Sequence, residues 1–300
     1  MNNHEVKTLT ENILYMPPGE NDRPLLAAIS GKEATLLVDA GNSPTHTKLF
    51  LSELYNRNIS PIKYIVITHW HWDHIFGLSA MNFVSIAHQK TKEKMIELRD
   101  LKWDDESLDM RVKEGKENKF VRASVKMEFP NPNRIIQVEI PDIAFSRKIE
   151  IHLGSITCFI EHVGGDHSLD SSVIFVPEEK VLFLGDCIYS NPYRNREYTV
   201  NNLFPLIDKL LSFNTHYYVD SHDEPTSREV FEDYCQTYKL VGKLVTKYER
   251  DIDSIKNELV LKAEKIGKET DKEWHEAMEY YITAFLAGIE KSEKNNNLYN

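Results

Sequence analysis

The stretch that most constrains this chain is THWHWDHIFG, residues 68–77, which follows an apolar run of strand length. The run, KYIVITH at 63–69, is rich in β-branched residues and fits a strand buried on both faces. Four residues of the types that bind metals fall within six positions, namely His69, His71, Asp73 and His74. Imidazoles and carboxylates that converge at a strand end are typical ligands of divalent metal ions. We therefore expect a metal site where this strand ends.

The spacing divides these residues into two pairs. His69 and His71 are two apart and point the same way in extended backbone, which suits one metal ion. Asp73 is expected to continue that alternation, whereas His74 breaks it and requires a turn. We assign Asp73 and His74 to a second metal ion.

Further candidate ligands stand at the ends of other apolar strands. His167 follows a glycine turn in GGDHS, Asp186 ends the strand LFLGD, and His222 ends YYVDSH. The candidate ligands are then His69, His71 and His167 for one metal and Asp73, His74 and His222 for the other, with Asp186 as a bridge.

This pattern resembles the metallo-β-lactamase superfamily. THWHWDH is similar to its HxHxDH signature, GGDHS to its third-histidine loop, LGDC to its bridging aspartate and DSH to its final histidine, over residues 14–222. The resemblance implies an α+β fold, an αβ/βα sandwich of two mixed β-sheets flanked by helices, with the metals at one rim. We place this domain at 1–224 and a C-terminal helical extension at 225–300.

The resemblance also implies a chemistry. An aspartate at the bridging position, where classical β-lactamases often have cysteine, is typical of the hydrolase branches such as the glyoxalase II-like thioesterases and the lactonases. It implies two Zn²⁺ ions, with iron or manganese also suited to nitrogen and oxygen ligands, and a metal-bridging hydroxide that attacks a small ester, thioester or lactone. Asp73 is then catalytic as well as metal-binding, because it can orient the nucleophile. Cys187 should point away from Asp186 and is not expected to bind metal.

Two alternative functions stay open. One is a mononuclear iron enzyme similar to sulfur dioxygenases, since the ligand set also suits iron. The other is a phosphodiesterase or nuclease of the same superfamily. The net charge of −11 argues against a nucleic-acid partner and favours a small-molecule substrate.

Three further residues near the motif each have two interpretations. Asp39, in VDAG, either orients a ligand histidine or caps its own turn. Trp70 and Trp72 either pack beneath the metal loop or form an apolar wall for the substrate.

The rest of the chain predicts several helices and indicates the cellular compartment. A helix is expected near 44–56, surface helices within 99–133, and long helices after 225 with capping boxes at Thr226 and Thr270. The C-terminal helices either pack near His222 and narrow the cleft or pack far from the metals for stability alone, and a remaining apolar stripe could pair two subunits. An odd number of widely spaced cysteines and no membrane-length apolar run indicate a cytoplasmic protein that does not bind a membrane.

Overall fold

The computed structural model describes residues 5–193, 196–267 and 269–297, with side chains as far as residue 289. The chain divides into two compact units that interleave along the sequence. The first unit contains Met1–Gly164, Ser168–Cys187 and Phe213–Ser227, and the second contains Gly165–His167, Ile188–Ser212 and Arg228–Asn300. The domain boundary at residue 224 stays a prediction, because the second unit also draws on two earlier segments.

The first unit carries a seven-stranded sheet whose strand order follows the chain. Its strands are β1 Lys7–Thr10, β2 Ile13–Met16, β3 Leu26–Ser30, β4 Thr35–Val38, β5 Ile62–Ile67, β6 Val84–His88 and β7 Ile143–Phe145. The pairs from β1 to β4 are antiparallel and those from β4 to β7 are parallel, so the sheet is mixed.

A second sheet of six strands completes the sandwich of this unit. Its strands are β8 Lys148–His152, β9 Thr157–His162, β10 Ser172–Val176, β11 Val181–Gly185, β12 Tyr217–Asp220 and β13 Thr226–Ser227. The order is β13-β12-β11-β10-β9-β8, and only β11 and β12 pair in parallel among these. The β10–β11 hairpin confirms the turn expected in VIFVPEEKVLFLG.

Helices of the first unit stand between the strands of the first sheet. They are α1 Pro44–Tyr55, α2 Trp72–Ile75, a 3₁₀ helix at Phe76–Ala80, α3 Gln89–Arg99, α4 Asp105–Lys113 and α5 Lys119–Glu128. The helix predicted at 44–56 and the surface helices predicted within 99–133 are confirmed. Ser43 caps α1 by accepting a hydrogen bond from the backbone N–H of His46, with Pro44 in the first helical position.

Alternating side chains on the strands of the first sheet build two cores. On β3, Ala27 and Ile29 are buried in the core that also contains Ile160 and Val176 of the second sheet. Leu26 and Ala28 point to the other face, where the core contains residues of α1 such as Phe50. This alternation follows the two-residue period of a strand. Two mixed sheets flanked by helices confirm the αβ/βα sandwich.

Strand ends meet at one rim of the sandwich. The backbone N–H of Ser172, at the start of β10, donates to the carbonyl of Thr68, which follows β5, at 2.9 Å. The N–H of Leu25, before β3, donates to the carbonyl of Ser221, after β12, at 2.6 Å. The two sheets are therefore joined where the candidate ligands begin.

Gly185 must be glycine at this rim for two reasons. It has a φ of +53°, and a Cβ built there would lie 2.8 Å from the Cβ of Thr68. We expect Gly185→Ala to cost at least about 3 kcal/mol of unfolding free energy, from backbone strain and overpacking together. Gly115→Ala is the matched control, since Gly115 also has a positive φ, +70°, but has open space around it, and should cost only about 1 kcal/mol. Equal losses in denaturant titrations of the two variants would show that Thr68 exerts no steric constraint.

The second unit is helical. Its helices are α6 Val200–Leu211, α7 Arg228–Tyr248, α8 Ile252–Lys265 and α9 Lys272–Asn297. Apolar residues such as Val241, Ile282 and Phe285 are buried, so α7 and α9 are ordered elements as expected. Pairing of two subunits through these helices stays a prediction. Within the described residues, none of the helices is both long and apolar enough to cross a membrane.

Both predicted capping boxes were wrong. Thr226 lies in β13, where it pairs with Tyr218, and α7 begins only at Arg228. The cap of α9 is Asp271 in place of Thr270, because the Asp271 carboxylate accepts from the N–H of Trp274 at 2.8 Å. An aspartate one position later satisfies the same unpaired N–H groups that a threonine would.

Candidate metal centre

The signature stretch turns into a helix earlier than its alternating pattern predicts. His71 has extended backbone, with φ −61° and ψ 148°, and α2 begins at Trp72. The expectation that Asp73 continues the alternation of His69 and His71 was therefore wrong. Asp73 and His74 instead lie in the first turn of a short helix, which sets their side chains beside each other, with the His74 Nε2 atom 3.0 Å from an Asp73 oxygen.

The first unit brings six of the seven predicted ligands together. The first group contains His69, His71 and Asp186, and one donor atom from each lies within 4.8 Å of the others. The second group contains Asp73, His74, Asp186 and His222, whose donor atoms also lie within 4.8 Å of one another. Asp186 belongs to both groups.

The Asp186 carboxylate reaches both groups with its two oxygens. Oδ2 lies 3.3 Å from Nε2 of His222 and 3.9 Å from Nε2 of His69, and Oδ1 lies 3.5 Å from Nε2 of His74. Asp186 is 4 % exposed, so its charge is poorly screened by water. This geometry suits a carboxylate shared by two cations.

Asp39 fixes the rings of two candidate ligands. Its carboxylate accepts from Nδ1 of His74 at 2.9 Å and from the Thr68 hydroxyl at 2.9 Å. Because the Thr68 hydroxyl donates to Asp39, its oxygen accepts from Nδ1 of His69 at 3.1 Å. Both rings then carry their proton on Nδ1 and present the Nε2 lone pair, the form that binds metal. The first interpretation of Asp39, as the partner of a ligand histidine, is confirmed, and Asp39 also accepts from the Thr68 N–H at 2.8 Å.

The imidazoles of the first group converge on one point. Nε2 of His69 lies 3.0 Å from Nδ1 of His71, and the two rings meet edge to face. His69 is fully buried and His71 is 5 % exposed. Two buried imidazole nitrogens at this separation can both face a single cation.

The carboxylates and histidines of the second group stabilise each other's charged forms. Burial raises the pKa of Asp73, but His74 and His222 outweigh burial and hold that pKa below its ordinary value. Burial lowers the pKa of His74, but the carboxylates of Asp73, Asp39 and Asp186 outweigh it and raise that pKa well above its ordinary value. The carboxylates thus hold protons on the histidines, and a cation that binds there takes the place of those protons.

The sequence interpretation missed Asp22. This residue, in the β2–β3 loop, places Oδ1 3.9 Å from Nδ1 of His222. Burial and the charge of Asp73 raise the pKa of Asp22 to about 7. In the sequence it looks like an ordinary loop carboxylate after Asn21, and both residues take positive φ angles near 60°. Only the fold shows that this loop approaches His222.

The donor chemistry fits divalent metal ions. The donors of both groups are imidazole nitrogens and carboxylate oxygens. Nitrogen and oxygen donors of this kind bind zinc, iron and manganese. Buried carboxylates beside several imidazoles form a polar cluster that suits such an ion.

His167 lies in the second unit. It is 7 % exposed, and its Nδ1 lies 3.0 Å from the carbonyl oxygen of Ser190. A carbonyl only accepts, so Nδ1 carries the proton and Nε2 presents a lone pair. His167 thus has the same tautomer as His69 and His74.

Asp166 and Asp170, which flank His167 in the sequence, make structural hydrogen bonds. Asp166 accepts from the N–H of Thr199 at 2.7 Å, and Asp170 accepts from the Thr91 hydroxyl at 2.7 Å. Among the described residues, neither metal-ligand group includes Cys187, as expected. Trp72 is 3 % exposed and packs on Phe76, which confirms the structural interpretation for that indole.

Trp70 differs from Trp72. It is partly exposed, and its ring meets that of His71 edge to face at 4.6 Å between centroids. It therefore offers apolar surface beside a candidate ligand.

Replacing Asp39 tests the orientation of the histidines. We expect Asp39→Ala to weaken metal binding by about 10- to 100-fold, the usual cost of losing a residue that orients a ligand. The variant Thr68→Val is the graded comparison, because it removes only the link to His69 and leaves the contact of Asp39 with His74. Competition with a chelator measures both affinities. An Asp39→Ala protein with unchanged affinity would contradict the orienting role.

A family match and similar solved structures agree with this fold. The family model described as the metallo-beta-lactamase superfamily matches residues 26–212. No curated protein matches the chain. The solved structure of a metallo-beta-lactamase from Pontibacter korlensis is similar, with 18% identity, a TM-score of 0.52, and coverage of 77% of this chain and 97% of that one.

Two further structures share the fold. The stereoselective inverting sec-alkylsulfatase Pisa1 from Pseudomonas sp. has 14% identity and a TM-score of 0.60, and the match covers 82% of this chain and 43% of that chain. The DIM-1 metallo-beta-lactamase has 16% identity and a TM-score of 0.53, with 77% and 95% covered. With the family match spanning more than half of the chain, this protein belongs to the metallo-beta-lactamase superfamily, as a metal-dependent hydrolase with a dinuclear-type site of histidines and aspartates.

Proposed function

We propose that this protein is a dinuclear zinc hydrolase of a small ester, thioester or lactone, in the glyoxalase II-like branch of the superfamily. The observation that carries the proposal is the position of Asp186, whose two oxygens face His74 on one side and His69 and His222 on the other. A shared aspartate is the ligand that the acyl hydrolase branches use at this position.

The ligand assignment follows the two groups. The first metal would be held by His69, His71 and Asp186. We propose His167 as a further ligand of this metal on the strength of the sequence motif GGDHS. The second would be held by Asp73, His74, Asp186 and His222. Two divalent ions, when bound, would lower the pKa of water towards neutrality and polarise the carbonyl of the substrate.

The side chains of the chain prepare this chemistry. Asp39 and Thr68 hold His69 and His74 in the metal-binding tautomer. Asp73 is buried and ionised, so it can accept a hydrogen bond from the attacking water and orient it. We assign the catalytic role to Asp73 on this basis.

Trp70 supports a small apolar acyl group as substrate. Its partly exposed ring beside His71 would provide a flat apolar surface next to the reacting carbonyl.

The net charge of −11 disfavours the nuclease alternative, because a nucleic acid would be repelled. The three cysteines are buried and none forms a disulfide, which supports the proposal of a reducing, cytoplasmic compartment.

The test is a substrate panel with the zinc-loaded protein. We expect turnover of a generic thioester, an aryl ester and a lactone, and no more than background rates with an aryl phosphodiester. The same protein stripped with a chelator and then reloaded is the control, and activity should vanish and return. Hydrolysis of the phosphodiester in preference to all three acyl substrates would contradict the proposal. Sulfur-dioxygenase activity with one iron per chain would also contradict it.

A further inference from the structure

The geometry points to Tyr280, on α9, as a positioning residue for His167. We propose that Tyr280 acts through Ser190 to hold the His167 ring in its metal-binding orientation. This inference rests on the proposed function, in which His167 binds the first metal.

The first link joins His167 to Ser190. Nδ1 of His167 donates to the Ser190 carbonyl at 3.0 Å. Both residues are buried, at 7 % and 6 % exposure, so water competes little for this hydrogen bond. The position of the Ser190 backbone therefore decides where Nε2 of His167 points.

The second link joins Ser190 to α9. The Ser190 hydroxyl and the Tyr280 hydroxyl are 2.6 Å apart, which makes a short hydrogen bond across 90 residues of sequence. Because Ser190 follows β11 and Asp186 by only a few residues, this bond fixes a segment of irregular backbone that has no strand or helix of its own. Tyr280 supplies the side-chain anchor for it.

The neighbouring residue of His167 is anchored separately. Asp166 accepts from the N–H and the hydroxyl of Thr199, at 2.7 and 2.8 Å, and from the Asn202 amide at 2.7 Å. These contacts fix the loop backbone at the start of α6. The hydrogen bond to the Ser190 carbonyl acts on the His167 ring itself.

α9 is held firmly against the segment that it supports. The Tyr198 N–H donates to the carbonyl of Ala284 at 2.9 Å, and the rings of Tyr198 and Phe285 are 5.4 Å apart. A Cβ on Gly288 would lie 2.0 Å from the carbonyl oxygen of Tyr198, so glycine allows the close approach. A helix docked this closely gives the Tyr280 hydroxyl a fixed position.

The test compares two tyrosines of α9. Tyr280→Phe removes the hydroxyl that reaches Ser190, and Tyr281→Phe removes the neighbouring hydroxyl from a ring that packs on Tyr238. We expect Tyr280→Phe to weaken zinc binding at the first site by about tenfold, as for other residues that orient a ligand. In the metal-free protein, amide hydrogen exchange at 165–167 and 190 should also accelerate. Tyr281→Phe should do neither, even if the two variants melt at similar temperatures.

A second pair of variants checks that the effect passes through Ser190. Ser190→Ala keeps the carbonyl that His167 uses but breaks the same hydroxyl contact, so it should match Tyr280→Phe. The double variant should lose no more zinc affinity than either single variant, because both remove one interaction.

The variant His167→Ala distinguishes failure of the positioning role from failure of the proposed function. If His167→Ala loses zinc but Tyr280→Phe and Ser190→Ala behave like Tyr281→Phe, the positioning role is wrong and the proposed function stands. If His167→Ala keeps both metals, His167 is not a ligand and both proposals fall.

Discussion

Replacing His69 by alanine should abolish hydrolysis of acyl substrates and release metal from the first site. His69 is fully buried and presents Nε2 towards His71 and Asp186, at 3.0 and 3.9 Å. No other side chain of the first group can take its place. The loss of activity should exceed about 100-fold, the upper range for residues that only orient a ligand.

His152→Ala is the matched control for this variant. His152 is exposed on β8 and contacts Glu150 and Thr157, away from both groups. It should retain full metal content and activity. A His69→Ala protein that also keeps its metal and turnover would remove His69 from the ligand set.

Asp186→Asn should lose the second metal ion preferentially, and activity with it. The amide has the same size as the carboxylate but no negative charge, and only one of its two terminal atoms accepts a hydrogen bond or binds a cation. A bridge must reach both groups, and Asp186 faces His69 of the first group with Oδ2 and His74 of the second group with Oδ1. Oδ2 also faces His222, so both oxygens lie near the second group and only Oδ2 lies near the first. The second metal should therefore be lost before the first.

Asp223→Asn serves as the comparison for Asp186→Asn. Asp223 follows His222 directly in the chain but is exposed, and neither group includes it. Zinc titrations should show two sites for Asp223→Asn and one strong site for Asp186→Asn. Two sites of unchanged affinity in Asp186→Asn would place the bridge elsewhere.

The fold was accessible from sequence because the apolar strands are short, separated and strongly patterned. KYIVITH, VSIAH and the VIFVPEEKVLFLG hairpin correspond to β5, β6 and the β10–β11 pair. The same strands explain why the ligands could be found, since β5 and β11 each end directly before residues that the motif singles out. A polar cluster that directly follows a buried strand must lie at the edge of the sheet where that strand ends.

Asp22 shows what sequence could not supply. Its approach to His222 joins residues 200 positions apart, and it depends on how the β2–β3 loop follows the rim. Nothing in the local sequence separates this carboxylate from a turn residue. The onset of α2 at Trp72 was missed for a related reason, because a four-residue helix carries too few positions to show a helical period.

The capping boxes failed where two local signals competed. Thr226 and Glu229 match a helix start, but pairing of β13 with β12 takes Thr226 into a strand. At α9, Asp271 stands next to Thr270 and caps better in that position. Tertiary pairing and the choice between adjacent polar residues decide such boundaries.

Metal analysis of the protein purified without added metal tests the central claim, that histidines and aspartates at the rim of the sandwich hold two metal ions. Elemental analysis should find close to two zinc ions per chain, and removal by a chelator should abolish acyl hydrolysis until zinc is restored. One iron per chain would contradict the dinuclear hydrolase and favour the iron oxidoreductase. Full acyl hydrolysis by a protein that contains no metal would contradict the account altogether.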